Sequence, residues 1–108
     1  MRSTSAPNTA QQAERFHALA DETRLAILEL LREGERCVCE LTEALELGQS
    51  LLSFHVKTLK AAGLITDRRE GRWMYYAIDP GVLAEMAGYL ASVAPRPKRS
   101  TRKGRCCD

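Results

Sequence analysis

The chain has 108 residues, 44% hydrophobic and 28% charged, with a formal net charge of +2, proportions that suit one globular domain with a modest core and exclude a fibrous or highly charged disordered chain. No apolar run approaches the roughly 18 residues that would cross a bilayer, and the opening MRSTSAPNTAQQAERF lacks the apolar stretch of a secretory leader, so a cytoplasmic protein with no membrane partner is expected. The charge is uneven: residues 95–108 carry six basic side chains against Asp108, which leaves −3 on residues 1–94.

Residues 1–9 are Ser, Thr, Pro and Asn with little to bury and read as a flexible arm. A folded domain is expected over 10–94. Helical character begins at Ala10, and QQAERFHALADETRLAILELLREG divides at Asp21, a residue suited to capping a second helix. In that helix Leu25, Leu28 and Leu31, widened by Ile27 and Leu30, make a buried stripe that Gly34 closes. A short third helix carries Val38, Leu41, Ala44 and Leu45, with Gly48 marking its end. The fourth, QSLLSFHVKTLKAAGL, spaces Leu52, Val56 and Leu59 by four and three and stops at Gly63.

Beyond Gly63 the period changes to two. Leu64–Arg69 and Trp73–Ile78 alternate, are rich in β-formers and flank a Glu-Gly-Arg turn, so they predict a β-hairpin. Pro80 then opens a fifth helix whose apolar residues, Val82, Leu83, Met86, Tyr89, Leu90 and Val93, form a face broader than a monomer of this size needs. That face, shared with the first helix, is read as a dimer surface. Residues 95–108 are a basic, cysteine-containing tail without periodicity.

Two helices joined by a tight turn and followed by a hairpin make a winged helix-turn-helix: mainly α with a two-stranded wing, dimerised through its terminal helices. The segment 49–76 carries a local +3, which suits a polyanion. The four cysteines form two close pairs, Cys37 with Cys39 and Cys106 with Cys107. In a reducing compartment such pairs point to metal binding or redox activity before they point to structural bridges. Thiolates are soft ligands for As(III), Sb(III), Cd(II), Pb(II) or Zn(II). Arg36 and a helix start beside Cys37 favour the thiolate. Placed in the first turn of a regular helix, however, Cys37 and Cys39 would point about 200° apart, so capture of one ion by both predicts that this turn unwinds. No thioredoxin-like Cys-x-x-Cys pattern, glycine-rich phosphate loop or Ser/His/Asp set is present, so neither an enzyme nor an organic cofactor is expected.

Over roughly Ala13 to Val93 the chain resembles the ArsR/SmtB family of metal-responsive repressors. The resemblance is carried by LADETRLAILELL, CVCEL, SFHVKTLKAAGLI and DRREGRWMYYAI in that order and spacing. It implies a homodimer that occupies double-stranded promoter DNA and leaves it when a metal or metalloid binds; the Cys-Val-Cys box implies the branch that senses As(III), Sb(III), Cd(II) or Pb(II) through thiolates, and As(III) or Sb(III) is the expected inducer. Gln49, Ser50, Ser53, Phe54, Lys57 and Thr58 then face DNA from the recognition helix. Gln49 and Ser53 are assigned to bases, Lys57 and Lys60 to phosphate, and Arg68, Arg69 and Arg72 to the wing contact. His55 is assigned either to phosphate or to helix packing, and His17 has no role. Leu51 and Phe54 depart from the polar or basic residues usual there, which leaves Phe54 for a thymine methyl or the wing.

Arsenite prefers three thiolates. In arsenic-sensing relatives with all three in one helix the third would fall at position 42, which here is Thr42. An extended tail of eleven residues beyond Pro95 reaches about 40 Å, so Cys106 or Cys107 completes the site, or forms a second one, or takes no part. Cd(II)- or Pb(II)-sensing and thiol-redox sensing on the same fold are the alternatives. The zinc ligands that relatives place on the last helix are missing, because DPGVLAEMAGYLASV has no His; Asp79 reads as a cap and Glu85 as a solvated side chain.

Overall fold

The computed structural model describes residues 9–95; Cys106, Cys107 and residues 1–8 lie outside them. The elements run α1 (Thr9–Leu19), α2 (Glu22–Leu31), β1 (Arg36–Cys37), α3 (Val38–Leu45), α4 (Gln49–Ala61), β2 (Ile65–Glu70), β3 (Trp73–Ile78) and α5 (Pro80–Val93). Asp21 caps α2 as its residue type suggests, its Oδ2 accepting from the Arg24 backbone N–H at 3.1 Å. The α2 stripe buries Ile27 and Leu31, which meet Leu41 from α3 and Leu52, Val56 and Leu59 from α4 in one core. Leu25, expected in that stripe, stays 44% exposed.

The end of α4 is a Schellman motif. The Gly63 N–H donates to Lys60 O and the Leu64 N–H to Leu59 O, with φ +83 at Gly63, a value that glycine adopts without a Cβ penalty. Gly48, by contrast, does not end α3. That helix stops at Leu45 with Glu46 in the left-handed region, φ 55, and Gly48 is the N-cap of α4. The turn of the helix-turn-helix is therefore set by a non-glycine left-handed residue, and Asn or Gly is the usual occupant of such a position.

The hairpin pairs Glu70 with Trp73 across Gly71 and Arg72, and the positive φ of 62 at Gly71 is that of a two-residue turn with glycine first. A third strand joins the expected two. Arg36 pairs with Tyr76 and Cys37 with Tyr75 along the free edge of β3, giving the antiparallel order β1-β3-β2. Two residues are too few to show a period of two, and Cys37 sits where a helix was expected.

Asp79 caps α5 through bonds from the Gly81 and Val82 N–H groups, with Pro80 in the first turn. Met86 is buried, the Phe16 and Tyr89 rings lie 6.3 Å apart, and Arg15 pairs with Glu85 at 3.0 Å. Glu85 thus anchors α5 to α1 and is not merely solvated. Further along α5, Leu90 is 54% and Val93 61% exposed.

Candidate nucleic-acid interface and thiol pocket

The outward face of α4 follows from its helical spacing. Leu52, Val56 and Leu59 are buried, while Gln49, Ser50, Ser53, Phe54 and Lys57 are exposed. Ser53, Lys57 and Lys60, at intervals of four and three, line a depression of about 300 Å³ with Val56 and, from the wing, Asp67 and Tyr76. A groove between a polar helix face and a hairpin can lay that helix against base edges with the wing beside it.

Four residues expected on this surface have hydrogen-bond partners within the fold. His55 is buried at 8% exposure: Arg24 Nη1 donates to its Nδ1 at 3.1 Å, and Asp21 Oδ2 lies 3.8 Å away. Arg24 is itself buried and donates from Nε to Ala18 O at 2.6 Å, so His55 belongs to a polar seam joining the α2 N-terminus to α4. Thr58 is half-buried, donates to Phe54 O and lines a groove with Glu14 and His17, which turns it toward α1. Lys60 is held by Asp67, whose carboxylate raises the lysine pKa by accepting its hydrogen bond. Arg68 makes a bidentate pair with Glu35 at 2.8 and 2.9 Å, bonds Glu70 at 2.9 Å and lies 4.8 Å over the Tyr75 ring. Its guanidinium, exposed on the sheet surface, is engaged by these partners. Lys57, Arg69 and Arg72 are exposed and have no acidic partner among the described residues. Phe54 is 57% exposed, its ring edge-on to His55 at 5.3 Å, which leaves an apolar spot on the presented face.

The thiol pair sits on the opposite side of the sheet from that groove. Side chains alternate along β3, so Trp73 and Tyr75 share a face with Cys37 and Arg68 while Met74 and Tyr76 take the other. Cys37 is the N-cap of α3, with extended φ −82 and ψ 159, rather than a residue of its first turn. The expected divergence of the two thiols is therefore corrected. With Cys37 outside the helix, its side chain converges on that of Cys39, their Cα atoms are 5.4 Å apart, and the two sulfurs are joined as a disulfide.

Glu40 holds this geometry, its Oε1 accepting from the Cys37 N–H at 2.9 Å. Cys-x-x-Glu has the spacing of a capping box with a cysteine in place of the usual Ser or Thr, a signal that the sequence carried. Cys37, Cys39, Glu40, Trp73 and Tyr75 line an open pocket of about 250 Å³. Thr42 donates to Cys39 O at 2.9 Å, a helix-internal role. No group of three or more His, Cys, Asp or Glu side chains is placed to hold a metal among the described residues. Reduced, these two sulfurs are soft donors of the type that suits a thiophilic ion.

Comparison with known proteins agrees with this architecture. The family described as bacterial regulatory protein, arsR family, matches residues 21–67, from the α2 cap into the wing. The arsenic resistance transcriptional regulator ArsR1 of Pseudomonas putida is 53% identical over 68 residues, 62% of this chain and 53% of that protein, so the match spans about half of the relative's length. The arsenical resistance operon repressor of Bacillus subtilis is 42% identical over 95 residues, 87% of this chain and 88% of that one. The solution structure of a homodimeric winged helix-turn-helix DNA-binding domain from Mycobacterium bovis, described as a possible ArsR-family transcriptional regulator, superimposes with a TM-score of 0.68 at 34% identity, covering 85% of this chain and 89% of that one. With its helix-turn-helix, its wing and an alignment running nearly end to end along the Bacillus repressor, the chain belongs to the arsR family of bacterial regulatory proteins.

Proposed function

We propose that the chain is a metalloid-responsive transcriptional repressor that binds promoter DNA as a homodimer and dissociates when As(III) or Sb(III) is captured by Cys37, Cys39 and a tail thiolate from Cys106 or Cys107. The observation that carries this reading is the convergence of Cys37 and Cys39 at the α3 N-cap, on a strand paired with the wing. The names of the Pseudomonas and Bacillus relatives support arsenic as the inducer. Capture by the reduced pair is ligand exchange: each sulfur replaces a hydroxide on the trivalent centre and its proton leaves as water.

Because the sulfurs converge with α3 intact, capture does not require the first turn to unwind. Capture then acts at the N-cap itself. From there it can reach α4 along α3 through Leu41 and Leu52, and the hairpin through the pairing of β1 with β3. An inducer acts only through its different affinity for the two arrangements of these elements.

The disulfide between Cys37 and Cys39 favours a second reading, in which oxidation of the same pair is the signal. Fluorescence anisotropy of the reduced protein on its upstream promoter DNA, titrated with arsenite, cadmium, zinc and peroxide, separates them. Release by arsenite at the lowest concentration is expected. Release by cadmium or peroxide ahead of arsenite overturns arsenic as inducer and leaves the repressor.

A further inference from the structure

The outward face of α4 is polar around one aromatic ring. Phe54, in the N-terminal half of the helix, is 57% exposed. Ser50, four residues before it, and Lys57, three after, share its stripe at helical spacing and are exposed with it. The ring is positioned from within the fold: it stands edge-on to His55, centroids 5.3 Å apart at an interplanar angle of 66°, and His55 is tied to Arg24 at 3.1 Å. The wing lies to one side of it. The depression between α4 and the hairpin is lined from the helix by Ser53, Val56, Lys57 and Lys60, whereas Phe54 points about 100° further round the helix than Ser53.

We propose that Phe54 is a specificity-determining residue that reads thymine, its ring packing against the C5-methyl group of one thymine in the major groove of each operator half-site. This rests on the proposed binding of promoter DNA by α4, and it assigns a base to a side chain that has no hydrogen bond to offer. The thymine methyl is the one methyl group that base pairs present in the major groove. Against cytosine the same ring covers the N4 amino donor, and against a purine the N7 acceptor and its neighbour, without replacing the hydrogen bonds that water gives them. Phe54 therefore selects thymine in two ways, by burying the methyl and by penalising the other bases. Lys57, on the same stripe and without an acidic partner among the described residues, supplies the charge that brings this face to the phosphates.

The size of the effect follows from one methyl group. Its burial is worth about fourfold in affinity, and about fifteenfold where both protomers of a homodimer contact one thymine each.

Uracil removes that methyl and leaves base pairing and every hydrogen-bonding edge in place. The upstream promoter fragment is amplified once with dTTP and once with dUTP, and the full chain, kept reduced, is titrated onto each with anisotropy as the readout. The wild-type chain is expected to bind the uracil fragment about four- to fifteenfold more weakly. Phe54→Ala is expected to bind the thymine fragment more weakly by a similar factor and to distinguish the two fragments by less than about twofold. Phe54→Leu, which keeps an apolar side chain at the position, retains part of the preference. Single thymine-to-uracil changes across the footprint should place the loss at one position in each half-site. Equal affinity of the wild-type chain for the two fragments overturns the inference. So does a Phe54→Ala chain that keeps the full preference, because the methyl is then read elsewhere or uracil acts through duplex stiffness. A wild-type chain that does not prefer the promoter fragment over a scrambled duplex of equal length overturns the underlying reading of operator binding instead.

Discussion

Among the single side chains, the basic residues of α4 and the wing divide into those spent inside the fold and those left over. Lys57 and Arg72 are exposed without acidic partners among the described residues, whereas Arg68 is closed by Glu35, Glu70 and Tyr75. Each free cation that meets a phosphate displaces one counterion. Lys57→Ala and Arg72→Ala are therefore each expected to flatten the log-affinity against log-salt slope by about 0.9, read by anisotropy across a salt series, while Arg68→Ala leaves the slope unchanged. His55→Ala leaves the slope alone as well but orphans Arg24 Nη1 in a buried seam. A loss of about 1–3 kcal/mol in urea unfolding is expected. Helical spacing made the exposed row legible, since it depends only on position along α4. It could not show that His55 faces Arg24, 31 residues away, or that Glu35 would meet Arg68, 33 residues away, because such partners are chosen by the fold and not by the local chain.

The instructive element is the start of α3. The apolar spacing of Val38, Leu41 and Leu45 made the helix legible, and the change of period after Gly63 did the same for the hairpin. The two-residue strand ahead of α3 was not, because β1 exists only through its pairing with β3. That pairing and the Glu40 bond hold Cys37 extended. Removing the bond with Glu40→Ala is expected to cost about 1 kcal/mol in urea unfolding and to raise the arsenite concentration needed for DNA release. Glu40→Gln, which keeps an acceptor, should recover most of both. A variant that loses stability with an unchanged arsenite response would separate the cap from the thiols.

For the molecule as a whole, three polar contacts tie the stability of the fold to pH. The Arg24 N–H holds the Asp21 carboxyl below its ordinary 3.8, and Arg68 holds Glu35 below 4.5. A carboxyl that binds its proton less tightly in the folded chain stabilises the fold above its ordinary value and loses that contribution as pH falls. Lys60 is raised above 10.5 by Asp67, so its contribution persists below that value and disappears as pH rises past it. Melting temperature is expected to be flat between about pH 5 and pH 10 and to fall on both sides. Asp21→Asn should shrink the acid-side drop. The exposed Leu90 and Val93 on α5 belong, in the proposed dimer, to the subunit contact. Leu90→Glu combined with Val93→Glu is expected to give a monomer by sedimentation and more than tenfold weaker promoter binding.

The row Cys37, Tyr75 and Arg68 runs across all three strands, so the proposed thiol site and the hairpin are parts of one sheet. Coupling through a shared element is reciprocal. If arsenic weakens promoter binding by some factor, the promoter weakens arsenic binding by the same factor, commonly 5–150-fold. Operator DNA is then an antagonist of the inducer. Repressor copies away from the promoter fill with arsenic first, and the number of those copies in the cell sets the dose at which transcription begins.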